Sequence, residues 1–524
     1  MNTSTLRISP DALWVALAAA FTGAVAGQWP VRNWDFWWHV VMGRLAATTG
    51  QHPDKLYFLY TMDPQAPSYV QAHLAQRTFW ALQQLGGDSV IPVLLTRNLG
   101  LMAVALVSAL VAWRRSGSGL VAATLVVMAS SFTTTYVDAR SHLLVWPLFV
   151  PALGLAYAAR AGKISPWLIA ALYPALTALW ANLHGSFLIP SLIALAALAA
   201  AVSDRWLAPQ RWRPNHLAAW VLTLPLCWIA PAAHPMGLRG NYDYLRLMMQ
   251  SESLRSVSSE WYPTTPLFPD VIGTLFYLLV PLLAALAYRQ HRRGQRLNLL
   301  DLFLLAGFAL MSFKQCRDLM WFGFTLPIAA SPLLSGLVTP KPTAKGRQRT
   351  AILAASAAAL SLALVAQPWH AAYRTVMPAL VQEKPVRDRD PHMGVLLRAT
   401  PIEAAAQIKA HPLFHPHTTR VFCDHNYAGF LLYTLQDPAR PTPMTFTDHR
   451  YEIITRAIWH EYYLISEAQP GWAERLDHYR VDFVIASAEQ APLQRALAAH
   501  PAWKLLSTHP DHQLYVRDFA HALP

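Results

Sequence analysis

The chain has 524 residues, of which 54% are hydrophobic and 14% charged, with a formal net charge of +13. Soluble domains average about 25% charged residues, so this composition argues against a wholly soluble protein and for a chain that lies largely in lipid. Three scattered cysteines, Cys227, Cys316 and Cys423, have neither the density of a disulfide framework nor the spacing of a zinc site.

The first apolar stretch, Asp11 to Gln28, is followed by no small-residue cleavage pattern and reads as a signal anchor. A spanning helix needs about 20 mostly apolar residues. Eleven such segments are expected, at 11–29, 89–113, 118–136, 143–159, 165–182, 186–203, 216–233, 270–288, 298–313, 319–338 and 350–367. Five short basic loops alternate with them: Trp113-Arg114-Arg115, Arg160 to Lys163, Arg205 to Arg213, Arg289 to Arg296 and Lys341 to Arg349. Cytoplasmic loops retain Lys and Arg, which orients the chain with a cytoplasmic amino terminus. The same bias, with anionic headgroups, accounts for the net charge, so nucleic acid is not an expected partner.

The opposite, outer side carries two long loops, Val31 to Asp88 and His234 to Pro269. Connections this long are usually functional or have structure of their own. In the first, Phe36 to Ala47 and Val70 to Leu85 have helical spacing, and Trp34, Trp37, Trp38 and Trp80 suit helices lying where lipid meets water. Residues 1–367 thus form a membrane domain. Residues 368–524 are polar and rich in His and Pro, with strands expected at Arg420 to Cys423, Asp482 to Ala486 and Gln513 to Arg517. Helices are expected at Pro401 to Ala410, Thr455 to Glu467 and Pro492 to His500, making a small outer α/β domain.

The first outer loop opens Asn33-Trp34-Asp35-Phe36-Trp37-Trp38-His39. Asp35 and His39 are four residues apart and share a helix face. A carboxylate there could remove a proton from an acceptor hydroxyl, or it could cap the helix while Trp37 and Trp38 anchor it. Both readings stand on the residues alone.

Asp35-Phe-Trp-Trp-His39, Gly43-Arg44, Gly50-Gln-His-Pro-Asp54 and Tyr60-Thr61 resemble the opening of a bacterial family of C-type (GT-C fold) glycosyltransferase-like membrane proteins. Further matches follow in order: Ala139-Arg140-Ser-His142, Trp180-Ala-Asn182-Leu-His184-Gly185, Pro235-Met-Gly237, Glu260-Trp261-Tyr-Pro263 and Arg317. Asp448-His449-Arg450 is similar to an Asp-Gly-Arg of the family, with His449 in place of Gly. The resemblance implies a polyprenyl-phosphate-linked sugar donor, transfer to a lipid, glycan or protein on the outer face of the bacterial inner membrane, and a periplasmic carboxy-terminal domain. It also implies that Asp35, by position, is the first-loop acid.

Around Asp35, His39, Arg140, His142, Asn182 and His184 fall at outer ends of spans or in the first loop, where cations suit a donor phosphate. Lys314 and Arg317 end the ninth span on that side, with Asp318 beside them to orient Arg317. Glu260 could assist Asp35 or share a divalent cation with it; no other cofactor is expected. Each of these residues could equally solvate a helix end or form a local ion pair. Arg97, two turns inside the second span, is expected to face a protein interior or a wet cavity. Asp448 and Arg450 are expected to pair with each other or to touch the membrane domain. No Walker A, Gly-x-Ser-x-Gly or His-Glu-x-x-His pattern occurs in a suitable context. Two other classes fit the same chain: a flippase for a lipid-linked glycan, which would favour inverted repeats and mid-span charges, and a non-catalytic assembly partner that keeps the fold.

Overall fold

The computed structural model describes residues 10–335 and 396–518, apart from 28, 32–34, 70, 88, 135, 208 and 212, together with residue 356. The expected span at 350–367 and the basic loop Lys341 to Arg349 therefore fall almost wholly outside the described residues.

Helices occupy the other ten expected positions. Helix α1 (Pro10–Gly27) is followed by α2 (Asp35–Thr49) and α3 (His73–Gly86) of the first long loop, then by α4 (Ile91–Ser116), α5 (Gly119–Thr134) and α6 (Trp146–Arg160). Next come α7 (Pro166–Leu183), α8 (Ile189–Leu207) and α9 (Pro214–Ile229). The second long loop holds α10 (Gly237–Gln250) and α11 (Glu252–Val257). Helices α12 (Asp270–Arg292), α13 (Leu299–Lys314) and α14 (Leu319–Leu334) complete the described bundle. Six of these segments are long and apolar enough to cross a membrane: α1, α4, α7, α8, α12, and α9 with the short turn after it. Helices α5, α6, α13 and α14 have 15 or 16 residues, about 24 Å at 1.5 Å per residue, and α14 is buried along nearly its whole length.

Apolar side chains line the seams of the bundle, and the charges described inside it are met by ion pairs or by backbone carbonyls. Arg115 meets Asp301, which also accepts from Tyr157, and Arg160 forks onto both oxygens of Asp204 at 2.6 and 2.8 Å. Arg97 is 1% exposed and faces protein, as its depth implied. Its guanidinium donates to the carbonyls of Ala26, Trp29 and Val137, so it ties the end of α1 to the α5–α6 connection.

The interfacial placement of α2 needs correction. Phe36, Trp37, Trp38, Val40, Val41, Met42, Leu45 and Ala46 are all buried. A helix apolar on every side belongs inside protein rather than at a surface. One face packs on α3, where Gly43 lies so close that an added Cβ would stand 2.1 Å from the Gln76 carbonyl oxygen. The other face meets the carboxy-terminal unit: Trp37 contacts Phe430 and Tyr433 at 5.2 and 4.7 Å between ring centroids.

That unit comprises α15 (Ile402–Ala410), β1 (Val421–Cys423), α16 (Ala428–Leu435), α17 (Arg456–Ser466), α18 (Trp472–His478), β2 (Phe483–Ser487), α19 (Ala491–Ala499), β3 (Trp503–His509) and β4 (His512–Arg517). The sheet runs β1-β2-β4-β3, with β1 and β2 parallel and the other pairs antiparallel. All three expected strands and all three expected helices are present; α16, α18 and β3 were not foreseen. Beside β1, the sheet is prolonged by two irregular segments: Val421 N donates to Met444 O at 2.8 Å, and Tyr60 N of the first loop donates to Thr445 O at 3.2 Å. The first long loop and the carboxy-terminal unit are thus joined by backbone hydrogen bonds.

Candidate functional site

Asp35, the first residue of α2, opens onto a cavity of about 150 Å³ at one end of the bundle. Connectivity sets that end: the cavity gathers residues between α5 and α6, just after α7, before α12 and before α14, whereas the basic loops join the other ends of these helices. Of the nine residues expected at a site, seven line this cavity: Asp35, His39, Arg140, His142, His184, Glu260 and Arg317.

Two do not. Asn182 donates back to the Ala178 carbonyl of its own helix at 2.9 Å, the usual way a polar side chain near a helix end is satisfied. Lys314 is exposed at the end of α13, its long stem carrying the ammonium towards solvent.

Arg140 organises the centre. Its Nε lies 3.2 Å from Asp35 Oδ2 and its Nη1 lies 2.6 Å from Glu260 Oε1, so one guanidinium links the first and second long loops. All three side chains are partly sheltered, with 17% of Arg140, 32% of Asp35 and 24% of Glu260 exposed. Burial pushes the Glu260 carboxyl up, but Arg140 and Arg317 outweigh it and hold the acid below the usual carboxylate range. Arg317 stacks over Trp261 at 4.5 Å and forms no ion pair with Asp318 among the described residues. Burial instead pushes Asp318 up to about 6, against the pull of Arg317 and Lys314.

Four histidines line the cavity, His39, His142, His184 and His449, and burial favours the neutral imidazole in each. Burial lowers His39 to about 4, and burial together with Arg140 lowers His142 to about 3. His184 is driven well below its ordinary value by burial, with His142 and Arg317 adding to the effect. His142 Nε2–H donates to the Tyr136 carbonyl at 2.7 Å. His184 Nδ1 accepts from the Ser186 backbone at 3.1 Å, which puts its proton on Nε2.

The carboxy-terminal unit closes the cavity with His449, Arg450, Tyr451 and Glu452, while Tyr244 of α10 forms another wall. Asp448 and Arg450 do both things expected of them. They form a buried fork, with Nη2–Oδ2 at 2.5 Å, and Arg450 also donates to Ser68 at 3.1 Å and stacks over Trp38 at 5.1 Å. Burial pushes Glu452 up to about 7 against the pull of Arg450, with Asp35 reinforcing the rise. Sequence reasoning missed Glu452, Tyr451 and Tyr244; the adjacency of Tyr451 and Glu452 to the Asp448-His-Arg450 motif was the one available pointer.

Asp35 and Glu260 share one cation. The Arg140 guanidinium already lies between the two carboxylates, and no group of three or more His, Cys, Asp or Glu among the described residues could hold a metal ion.

An apolar helical bundle, a long first loop starting at an acid, and an α/β unit closing over that acid together define a polytopic membrane protein of the GT-C fold. Solved structures share that fold, two of them as follows. The chain is similar to the archaeal oligosaccharyltransferase AglB from Archaeoglobus fulgidus, in complex with an inhibitory peptide and a dolichol-phosphate. The TM-score is 0.52 at 12% identity, covering 98% of this chain and 75% of that one. It is equally similar to ArnT from Cupriavidus metallidurans bound to undecaprenyl phosphate, with a TM-score of 0.52 at 12% identity, covering 98% of both chains. No family model matches the chain, and no curated protein matches it.

Proposed function

We propose that this protein is a glycosyltransferase of the bacterial inner membrane that moves a sugar from a polyprenyl-phosphate donor to a lipid, glycan or protein acceptor. In this reading it has eleven spans, the cavity and the carboxy-terminal domain face the periplasm, and the basic loops face the cytoplasm. The carrying observation is that Asp35, Arg140, Glu260 and Arg317, drawn from four separate segments, meet in one cavity at the end of the bundle away from the basic loops. The shared fold with two structures that hold polyprenyl-type phosphates supports it.

The Asp35 carboxylate takes the proton of an acceptor hydroxyl, whose oxygen attacks the anomeric carbon as the bond from that carbon to the phosphate oxygen breaks. The carrier leaves as polyprenyl phosphate. Arg140 holds two carboxylates, so it is better suited to aim Asp35 than to bind phosphate. Arg317, held over Trp261 without a carboxylate partner among the described residues, is free to fork onto the departing phosphate. A cavity of about 150 Å³ is smaller than the ~300–1,000 Å³ of small-molecule sites, so entry of the donor requires the cavity to widen.

The test is transfer of labelled sugar from a polyprenyl-phosphate donor by membranes containing wild-type protein or Asp35→Asn. Loss of a general base is expected to lower the rate by ~10²–10⁴-fold with insertion unchanged; unaltered transfer overturns the assignment of Asp35. Mass spectrometry of lipid-linked glycans accumulating in a deletion strain would identify the sugar. The smallness of the cavity favours a second reading, a non-catalytic partner that keeps the fold. Under that reading neither wild type nor Asp35→Asn transfers sugar from any donor.

A further inference from the structure

A second cavity is larger than the one beside Asp35. It has a volume of about 1090 Å³ and lies between α4 and α6, running towards the basic loops. Its walls are apolar along most of their length, with Val104, Val107 and Val111 of α4 facing Pro147, Val150 and Gly154 of α6. From Val104 to Arg114 is ten residues, about 15 Å of helix, which matches the depth of one leaflet in a hydrocarbon core ~30 Å thick.

The mouth has a different chemistry. Five cations ring it: Arg114, Arg115, Arg160, Lys163 and Arg213. Two are already spent, Arg115 on Asp301 and Arg160 on Asp204. Arg114, Lys163 and Arg213 are exposed and form no ion pair among the described residues, which leaves three positive charges at the end of an apolar slot. The Arg213 guanidinium lies against Gly162, where an added Cβ would stand 3.0 Å from its central carbon, so the backbone of the α6–α7 turn holds that charge close to Lys163.

We infer that this groove binds an anionic glycerophospholipid from the leaflet on the side of the basic loops. The headgroup phosphate lies among Arg114, Lys163 and Arg213, and the acyl chains lie along α4 and α6. Basic pockets between spanning helices on that face select anionic headgroups, and the volume lies just above the ~300–1,000 Å³ range of small-molecule sites, as a two-chain lipid requires. The site is separate from the Asp35 cavity and does not depend on the activity proposed there.

Native mass spectrometry of the full-length protein in detergent tests this with phosphatidylglycerol, phosphatidylcholine of the same chain length, and glycerol phosphate as the chain-free probe. Phosphatidylglycerol is expected to be retained over phosphatidylcholine by at least about tenfold, since three cations are worth ~100-fold before screening. The triple variant Arg114→Gln/Lys163→Gln/Arg213→Gln should erase that preference. Gly154→Leu keeps every charge and places a side chain where a Cβ meets nothing within 4 Å, so it should weaken retention of both lipids. Equal retention of the two lipids by wild type, an unchanged preference in the triple variant, or displacement of the lipid by equimolar glycerol phosphate would each overturn the proposal.

Discussion

Replacing Arg140 by Gln leaves the Asp35 and Glu260 carboxylates facing one another without their shared cation. At an effective dielectric of 20, each pair is worth about 4 kcal/mol at 4 Å before desolvation is subtracted. Removing one partner of a fully buried pair costs about 3–5 kcal/mol; with 24% and 32% of the two acids exposed, the expected loss is smaller, about 2–3 kcal/mol. For a chain of this size that is a fall of only a few degrees in apparent melting temperature, readable from the intrinsic fluorescence of detergent-purified protein. The pH dependence is the sharper signature. In wild type, Glu260 lies below its ordinary value, so its contribution to stability is present above that value and fades as pH falls through the lowered one. In Arg140→Gln, burial is left as the dominant influence, the acid rises, and stability falls as pH increases through it. The gap between the two proteins should therefore be wider at pH 8 than at pH 5, and should close further as pH falls below the ordinary carboxylate value. An equal gap at both pH values, or none, refutes the view that Arg140 neutralises this pair.

Further outcomes are expected elsewhere in the molecule. Gly43→Ala forces a methyl group into the Gln76 backbone, and overpacking of this kind costs about 1–3 kcal/mol; lower yield and melting temperature would show it. Arg97→Met strands three buried carbonyls at about 1–3 kcal/mol each, so it should destabilise strongly while any transfer per folded molecule stays the same. Glu452→Gln should raise the melting temperature at pH 8 and leave it unchanged at pH 5. A carboxyl raised to about 7 makes the folded state hold a proton that the unfolded chain releases, and the resulting loss with rising pH disappears in the amide. Arg317→Gln should raise the KM for a polyprenyl-phosphate donor with little change in melting temperature; an unchanged KM removes Arg317 from phosphate binding.

Hydropathy made the bundle legible because each span is a local, contiguous signal, and loop charge placed Asp35, Arg140, His184 and Arg317 at a common end before any packing was known. The convergence itself was not legible. Whether Arg140 reaches Asp35, Asn182 or Lys314 depends on how helices far apart in sequence pack, and neither hydropathy nor charge records that. Trp37 and Trp38 show how the misreading of α2 arose: aromatic residues at helical spacing look the same whether lipid headgroups or Phe430 and Tyr433 cover them. The run from Phe36 to Ala46, apolar on every face, was the usable clue to full burial. Strand β3 was hidden because Lys504, Ser507 and Thr508 interrupt its apolar alternation at an exposed sheet edge.

The hydrogen bonds that join Phe58 and Tyr60 to Met444 and Thr445 carry a consequence for how the protein is made. Thr61 donates to the Phe446 carbonyl across 385 residues of chain. At ~5–20 residues per second, the first loop must wait roughly 20–80 s for the segment that completes it. During that time α2, with its aromatic face uncovered, has only α3 and the growing bundle for shelter. Assembly of the Asp35 cavity is therefore a late event in biogenesis, coupled to completion of the carboxy-terminal unit, and truncated chains would be left with the first loop unfinished.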